Sequence, residues 1–578
     1  MLFKEFAHYL AEMESVSSRL AITETLSKLF AAATPDEMQI IPYLLQGRVV
    51  PAYEGTEFGV AEKSVIKAAA LALQMDPKEV TRAVLHHGDL GTTIESLRES
   101  FTSFEQKDLT VTEVALEFKR LAAQSGDGSQ DTKARILSGL FSQADPRSCR
   151  YIARIPLGQM RLGASDITML DALSWMLTGN KSARPVIEKA YQVRPDLGYI
   201  GKLIKDAGLA GIATVKPVVG TPILMMRAER LSSGVEILEK LGPCIVEPKY
   251  DGFRLQVHIH KEPAIGTQKP KTTVAIFTRG MENATHMYPD IVAAIASDIH
   301  CKSCILEGEA LGYDVAHDRF LPFQETIQRK RKHDVTEAAL RIPLRLMIFD
   351  VLYLDGSVLM DSPLTERKAI IHSLVSDTST VLHISPHEVL HEADAIEALF
   401  DTYITDGLEG IMAKKLDSVY KPGAREYSWV KLKKSYSSTV NDTLDCVVMG
   451  YDLGKGKRAA FGIGAALLGV YDAASETYKT ISKMGTGLTD DEWKALKAQG
   501  DPHRVDAKPE AYDVKKENQP DVWIEPHIVL EIRSDELTHS KMHTSGWGMR
   551  FPRLERFRDD KKPSDATTLA ELHTIAGK

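Results

Sequence analysis

The sequence predicts a multidomain chain: an all-α first third, an α+β middle and a small C-terminal β-barrel of the OB type. Three observations carry this. Residues 1 to about 215 are dominated by helix formers and helical apolar stripes. Strand-like runs then alternate with helical ones, the texture of an α+β domain. From about Ser437 onward, short strands and tight turns take over. At 578 residues the chain is too long for one ordinary core. We place the domains at 1–217, 218–436 and 437–578.

Composition narrows the class. Hydrophobic residues make up 43% and charged residues 26%, the balance of a soluble globular protein. The opening Met1-Leu-Phe-Lys-Glu-Phe6 has charges inside its first apolar run, so no signal peptide is expected. No uncharged stretch is long enough to span a bilayer. The five cysteines are scattered, which argues against a disulfide framework and for a reducing cytoplasm. Cys301 and Cys304 form a Cys-x-x-Cys without a second pair, and read as two small residues leading into a strand. The net charge of −8 does not exclude nucleic acid, because binding depends on a local basic face rather than the sum.

In the first part, Ser64–Met75 and Val111–Ala123 read as helices. The breaker Ser125–Asp131 precedes another helix over Thr132–Gln143, with Asp131 as its cap. A further helix follows Asp145-Pro146, where proline suits the first helical position. Ile167–Leu177 is the next, with Asp166 or Thr168 near its cap. Arg154 and Arg161 flank a glycine-containing loop, which suits either backbone contact to nucleic acid or two surface arginines at a junction. Around Val215–Pro222, prolines and glycine mark a boundary.

The middle part is organised around residues 243–260. Cys244–Pro248 reads as one short strand. Phe253–His260 alternates apolar and polar residues and reads as another. Tyr-Asp-Gly between them reads as a hairpin turn. Glu247 and Lys249, two apart, point to one face, with Arg254 across the turn. A lysine at a strand end beside a carboxylate is either solvated or, if burial and cations lower its pKa, a nucleophile. Further along, Glu307 and Glu309 share a strand face that can offer a carboxylate to a metal ion or to water. Phe349 lies in a nearly continuous apolar strand, Arg345–Leu354. Glu409 sits between glycines, which clear space around it. Lys431 and Lys433 lie on one strand face, where like charges are unfavourable unless an anion sits between them.

In the last part, strands are expected at Asp445–Tyr451, Gly464–Tyr471, Lys479–Met484 and Trp523–Ile532, with a helix at Asp490–Gln499 and a basic loop at Gly454–Arg458. The tail Met549–Lys562 holds six basic and three acidic residues, a local cationic run in an acidic chain.

Taken in order, the chain contains Glu-Pro-Lys-Tyr-Asp-Gly-Phe-Arg (247–254), Thr-Arg-Gly (278–280), Leu-Glu-Gly-Glu-Ala (306–310) and Phe-Asp-Val-Leu-Tyr-Leu-Asp-Gly (349–356). Then come Leu-Glu-Gly-Ile-Met-Ala-Lys (408–414), Trp-Val-Lys-Leu-Lys (429–433) and Arg-Phe-Pro-Arg…Arg-Asp-Asp-Lys-Lys (550–562). This set resembles motifs I, Ia, III, IIIa, IV, V and VI of the ATP-dependent DNA ligases, in order. Gly-Ser-Gln-Asp (128–131) and Met-Arg-Leu-Gly (160–163) resemble the family's N-terminal DNA-binding domain. Leu-Pro-Phe-Gln (321–324), Arg-Lys-Arg-Lys (329–332) and Val-Trp-Ile-Glu-Pro (522–526) extend the likeness over essentially the whole chain, closest to three-domain archaeal and eukaryotic ligases. Two departures are Ser540-Lys541, where relatives often have Ser-Pro, and Met160 in place of Leu.

The resemblance implies a helical DNA-binding domain, a nucleotidyltransferase (adenylation) domain and an OB-fold domain. It implies nick sealing in duplex DNA through a lysine–AMP intermediate, in replication, repair and recombination, with ATP and Mg²⁺ as cofactors. Lys249 is the implied nucleophile. Glu247 is implied to accept from the adenine amino group, Phe349 to stack on the base, and Arg254 and Arg279 to contact ribose or phosphate. Glu309 and Glu409 are implied to place the metal and ribose, and Lys431 and Lys433 to neutralise the α-phosphate. Arg425 is a nucleotide contact, and Arg558 and Lys561 orient pyrophosphate. A hinge is expected at Lys434–Ser438. The implied partner is nicked double-stranded DNA, met by a monomer in the cytoplasm, associated with the nucleoid. No short clamp-binding motif is found, so a sliding clamp stays an open partner. A capping guanylyltransferase or RNA ligase shares the lysine motif but not the helical first third. An NAD-dependent ligase would carry a four-cysteine zinc module.

Overall fold

The computed structural model describes residues 1–100, 106–263, 271–331, 334–433, 443–454, 462–534 and 536–576. These form two compact units, Met1–Leu432 and Lys433–Lys578. No helix among the described residues is long and apolar enough to cross a membrane.

The first unit begins with helices running from Phe3–Glu14 to Leu197–Ile212 around one apolar core. Local chemistry sets their ends. Thr110 and Glu113 form a reciprocal capping box at the start of Val111–Ala122. Asp145 accepts from the Ser148 N–H, with Pro146 opening the helix Pro146–Arg154. The helix expected from Thr132 starts instead at Ser129, after Gly128 at φ 75°. Asp131 is therefore not its cap; its side chain pairs with Lys67 at 2.6 Å. The helix Asp166–Thr178 is capped by Ser165, which accepts from the Thr168 N–H, so Asp166 and Thr168 stand beside the cap in its first turn. The nucleic-acid reading of Arg154 is also overturned. Its side chain is buried and pairs with Glu14 at 2.9 Å and Asp89 at 2.7 Å, tying helices together. Arg161 stays largely exposed, 3.3 Å from Asp89.

Strands begin at β1 (Arg227–Arg230), followed by β2 (Cys244–Lys249), β3 (Phe253–Glu262), β4 (Lys271–Thr278), β5 (Ser303–Asp314) and β6 (Arg319–Phe320). Next are β7 (Leu344–Leu354), β8 (Ser357–Val358), β9 (Leu382–Ile384), β10 (Glu388–Leu390), β11 (Gly410–Lys415) and β12 (Arg425–Lys433). They make two sheets. One runs β1-β12-β11-β2-β10; the other runs β4-β3-β5-β7-β8, with β6 on β5 and β9 on β7.

The expected hairpin is therefore not formed. β2 pairs with β10 and β11, while β3 pairs with β4 and β5. Tyr250-Asp251-Gly252 carries the chain from one sheet to the other. Periodicity identifies strands but not their partners, and five of the six β2 residues are buried, as suits a strand covered on both faces. Gly252 is needed for close approach: a Cβ there would collide with the Ala310 carbonyl of β5.

The second unit holds β13 (Leu444–Asp452), β14 (Ala465–Asp472), β15 (Thr477–Met484), β16 (Arg504–Val505), β17 (Tyr512–Asp513) and β18 (Val522–Ile524). β19 (Val529–Arg533), β20 (Glu536–His539), β21 (Trp547–Arg550) and β22 (Arg553–Phe557) follow. β13 pairs with β14, β18 and β19, and β19 pairs with β22, a strand-rich array that fits the OB plan. The helix Asp490–Gly500 packs Trp493 and Leu496 into its core. The single strand expected over Trp523–Ile532 is split into β18 and β19. Pro526, which lacks a donor, lies in the gap. Of the expected basic loop, Lys455–Arg458 lie outside the described residues, as does the expected hinge, Lys434–Ser438.

Candidate active site

The passage between sheets leaves Lys249 at the end of β2. Opposite it on β11 is Gly410, and opposite Glu247 is Met412. Arg254 on β3 is paired in register with Glu309 on β5. These strand ends enclose a pocket of about 670 Å³. It is lined by Glu247, Lys249, Arg254, Arg279, Glu309, Phe349, Glu409, Arg425 and Lys431, so nine residues singled out from the sequence come together. Lys433 is not among the lining residues. Arg558 and Lys561 belong to the second unit, where both hold Asp445, at 3.0 and 2.6 Å.

Electrostatics sort the pocket. Burial pulls the Lys249 ammonium below the ordinary lysine value; Glu309 and Asp251 oppose this, and Arg279 and Arg254 add to it. Its Nζ donates to the Glu409 carboxylate. Burial also pulls Lys431 down to about 8, aided by Lys249, Arg230, Arg279 and Arg425. Arg279 is lowered by burial and by Arg254, Arg227 and Arg425. Clustered cations that depress one another favour an anion among them, and phosphates suit that place. Glu309 is half-buried, and desolvation of its carboxyl raises it to about 7, despite Lys249 and Arg254 nearby.

Arg254 is fixed from behind. It donates to the Met226 carbonyl at 2.6 Å and to Glu307 at 2.8 Å. Glu307 also accepts from Gln256 at 3.1 Å and from Tyr420 at 3.0 Å. The metal reading of the pair Glu307 and Glu309 thus narrows to Glu309, because Glu307 is fully enclosed by donors. Arg254 lies over the Phe349 and Trp429 rings, 5.4 and 5.6 Å from their centroids. Behind Phe349, Asp350 and Arg367 form a fully buried bidentate pair at 2.7 and 3.1 Å.

Several lining residues escaped sequence reasoning as site residues. Trp429 and Lys414 stood inside recognised motifs but looked like strand filler. Ser385 and Arg227 carry no local signal; only the topology brings them in.

Three family models match the chain: DNA ligase N terminus over residues 2–174, ATP dependent DNA ligase domain over residues 225–433, and ATP dependent DNA ligase C terminal region over residues 459–561. It is 40% identical over 580 residues to a probable DNA ligase of Dictyoglomus turgidum, covering 99% of this chain and 97% of the relative. The chain belongs to the ATP-dependent DNA ligases. DNA ligase 2 of Thermofilum pendens is likewise 40% identical over 592 residues, covering 99% of this ligase and 96% of that one. The solved structure described as Pmar-Lig_PreS3 shares the fold, with a TM-score of 0.55 and 15% identity over 96% of this chain and 99% of that one. This ligase uses ATP, acts on DNA and seals nicks through an adenylate intermediate.

Proposed function

We propose that Lys249 is the residue that carries AMP. The observation that supports this most is its setting: a half-buried lysine at a strand end, with a depressed pKa, in a pocket lined by other cations. The neutral Nζ lone pair attacks the α-phosphorus of ATP. The bond to the bridging oxygen breaks, and pyrophosphate leaves with its electron pair. Lys431, Arg279 and Arg425 take up the charge on the phosphates, with Lys433 following on the same strand. Phe349 supports the base, and Glu247 accepts from its amino group. Arg254 serves ribose and phosphate. The adenylate then passes to the nick's 5′-phosphate, and the 3′-hydroxyl displaces AMP to close the backbone.

Glu309 and Glu409 are the residues that would hold Mg²⁺. Among the described residues no cluster of three metal-ligating side chains is found. Two carboxylates beside a phosphate site nonetheless fit this ion, which keeps several waters and takes few protein ligands. Desolvation raises the Glu309 carboxyl to about 7, and a cation beside it would favour its charged form. When bound, the ion supplies charge neutralisation of the phosphates.

A pH profile tests this assignment. Lowering the pKa of Lys249 enlarges its neutral fraction at any pH below that value, so self-adenylation should rise with pH, roughly tenfold per unit. Below about 7, Glu309 takes up a proton. The magnesium requirement should therefore rise there. Single-turnover labelling at two magnesium concentrations reads both effects; a flat profile contradicts the assignment.

Arg558 and Lys561 are proposed to orient the departing pyrophosphate, with their shared hold on Asp445 keeping two cations adjacent. Lys561→Ala should depress self-adenylation by roughly a hundredfold, in the range of one lost transition-state donor. Sealing of a pre-adenylated nick should change far less; equal losses would refute the role. We further assign nick binding to the helical part, residues 1–217, and the remaining division to 218–436 and 437–578. The last helix before the middle part ends at Ile212 and the first strand begins at Arg227, which supports the first boundary. The enzyme is proposed to act as a cytoplasmic, nucleoid-associated monomer.

A further inference from the structure

One face of β3 carries Arg254, Gln256 and His258 at every second position. Such alternation reads as a solvated face, yet Gln256 and His258 are 0% and 1% exposed. The segment 220–226, a strap leading from the last helix of the helical part to β1, covers them. Its backbone is bonded to this face at every third residue and in reverse order, so the strap runs antiparallel to β3 across its side chains. The Gly220 N–H donates to His258 Nδ1 at 3.0 Å. Ile223 is clamped by the Gln256 amide: its N–H donates to Oε1 at 2.7 Å, and its carbonyl accepts from Nε2 at 3.1 Å. The Met226 carbonyl accepts from Arg254 at 2.6 Å, and its N–H donates to the Tyr420 hydroxyl at 2.9 Å.

These side chains also bond to one another. With Nδ1 accepting from Gly220, the neutral imidazole carries its proton on Nε2, which donates to Gln256 Oε1 at 3.0 Å. Burial pushes His258 down to about 3, so the ring stays neutral at neutral pH. Gln256 Nε2 donates its second N–H to Glu307 at 3.1 Å, and Glu307 accepts from Arg254 at 2.8 Å. The Gln256 amide thereby uses all its donors and acceptors, which fixes its orientation. The donors run in one direction from Gly220 through His258 and Gln256 to Glu307, whose carboxylate holds the Arg254 guanidinium. An apolar face could hold the strap by burial alone. A buried polar ladder with every bond made also fixes register and angle.

We propose that Gln256 and His258 are positioning residues for adenylation: together with the strap, they set the place of the Arg254 guanidinium in the nucleotide pocket. Neither lines the pocket, so each acts through Arg254. The inference rests on the reading of Arg254 as a ribose and phosphate contact given above.

The test is single-turnover self-adenylation of the full-length enzyme with ATP and magnesium, the adduct followed by intact mass. Gln256→Met keeps the length of the side chain and removes its hydrogen bonds to Ile223, His258 and Glu307. The maximal rate constant should fall by roughly 10–100-fold, the effect of a misplaced contact, with KM for ATP within about threefold. A merely structural role would lower the amount of adduct, since less enzyme is folded, and leave the rate constant of the folded remainder unchanged. In an Arg254→Lys background, where no planar fork is left to orient, Gln256→Met should slow the reaction by no more than about threefold further. Losses that multiply in full across the two substitutions would overturn the inference, as would an unaltered rate constant in Gln256→Met. Should Gln256→Met fail to fold, His258 decides. His258→Gln, whose amide reaches the place of Nε2, should keep the rate constant within about threefold, and His258→Asn, which stops at the place of Nδ1, should lower it about tenfold. Equal rate constants for those two variants would overturn the inference. An Arg254→Lys enzyme as fast as the unaltered one would overturn the reading of Arg254, and this inference with it. No adduct from the unaltered enzyme would overturn the adenylation reading as a whole.

Discussion

Lys249→Ala enzyme given ATP and magnesium forms no enzyme–AMP adduct and seals no nicks. The expected fall is at least about 10⁴-fold, because the reaction loses the nucleophile placed at the end of β2. Lys249→Arg should be equally inert, since a guanidinium keeps its proton. Both variants should bind nicked DNA as the unaltered enzyme does, because phosphate contacts spread over the protein dominate that affinity. Gel-resolved label from ATP reports the first property and a nick-binding titration the second. Adduct on the alanine variant would remove Lys249 from the mechanism.

The second large effect is on stability. Asp350 and Arg367 are both fully buried, and Arg367 also donates to the Ser362 and Ser418 carbonyls at 2.6 and 3.0 Å. Removing the arginine strands a carboxylate in the interior. Arg367→Ala should therefore cost about 3–5 kcal/mol of unfolding free energy, seen as a lower urea midpoint. Because Asp350 follows Phe349 directly on β7, the same variant should also raise KM for ATP. Replacing the pair together by Leu and Met should recover much of the loss, since an apolar pair leaves no charge unpaired. An unchanged midpoint in Arg367→Ala would mean that the pair contributes nothing.

Much of this was legible in the residues themselves. Lys249, Glu309, Phe349 and Lys431 stand in short, spaced motifs on strands whose periodicity is plain, and the helical first third follows from composition and caps. Partner choice was not legible. Phe253–Glu262 alternates as a hairpin arm would, yet it pairs with β4 and β5, and nothing local distinguishes these outcomes. The constraint on Gly252 is equally non-local: it is the Ala310 carbonyl, more than fifty positions away. Arg154 misled because exposure is a tertiary property; beside a glycine loop it looks free, and only the fold sets Glu14 and Asp89 against it. Lys368 was invisible because a lysine in a helix is ordinary until topology sets it against the buried Glu247 carboxylate.

The most direct test of the central claim is to locate the adduct. The enzyme is incubated with magnesium and α-labelled ATP, with parallel incubations holding α-labelled GTP or adenylate-labelled NAD. The labelled protein is then digested and its peptides sequenced by mass. The account predicts AMP from ATP alone, on the nitrogen of Lys249, in an acid-labile and alkali-stable bond. AMP on another side chain, or label from GTP or NAD in preference to ATP, would contradict it.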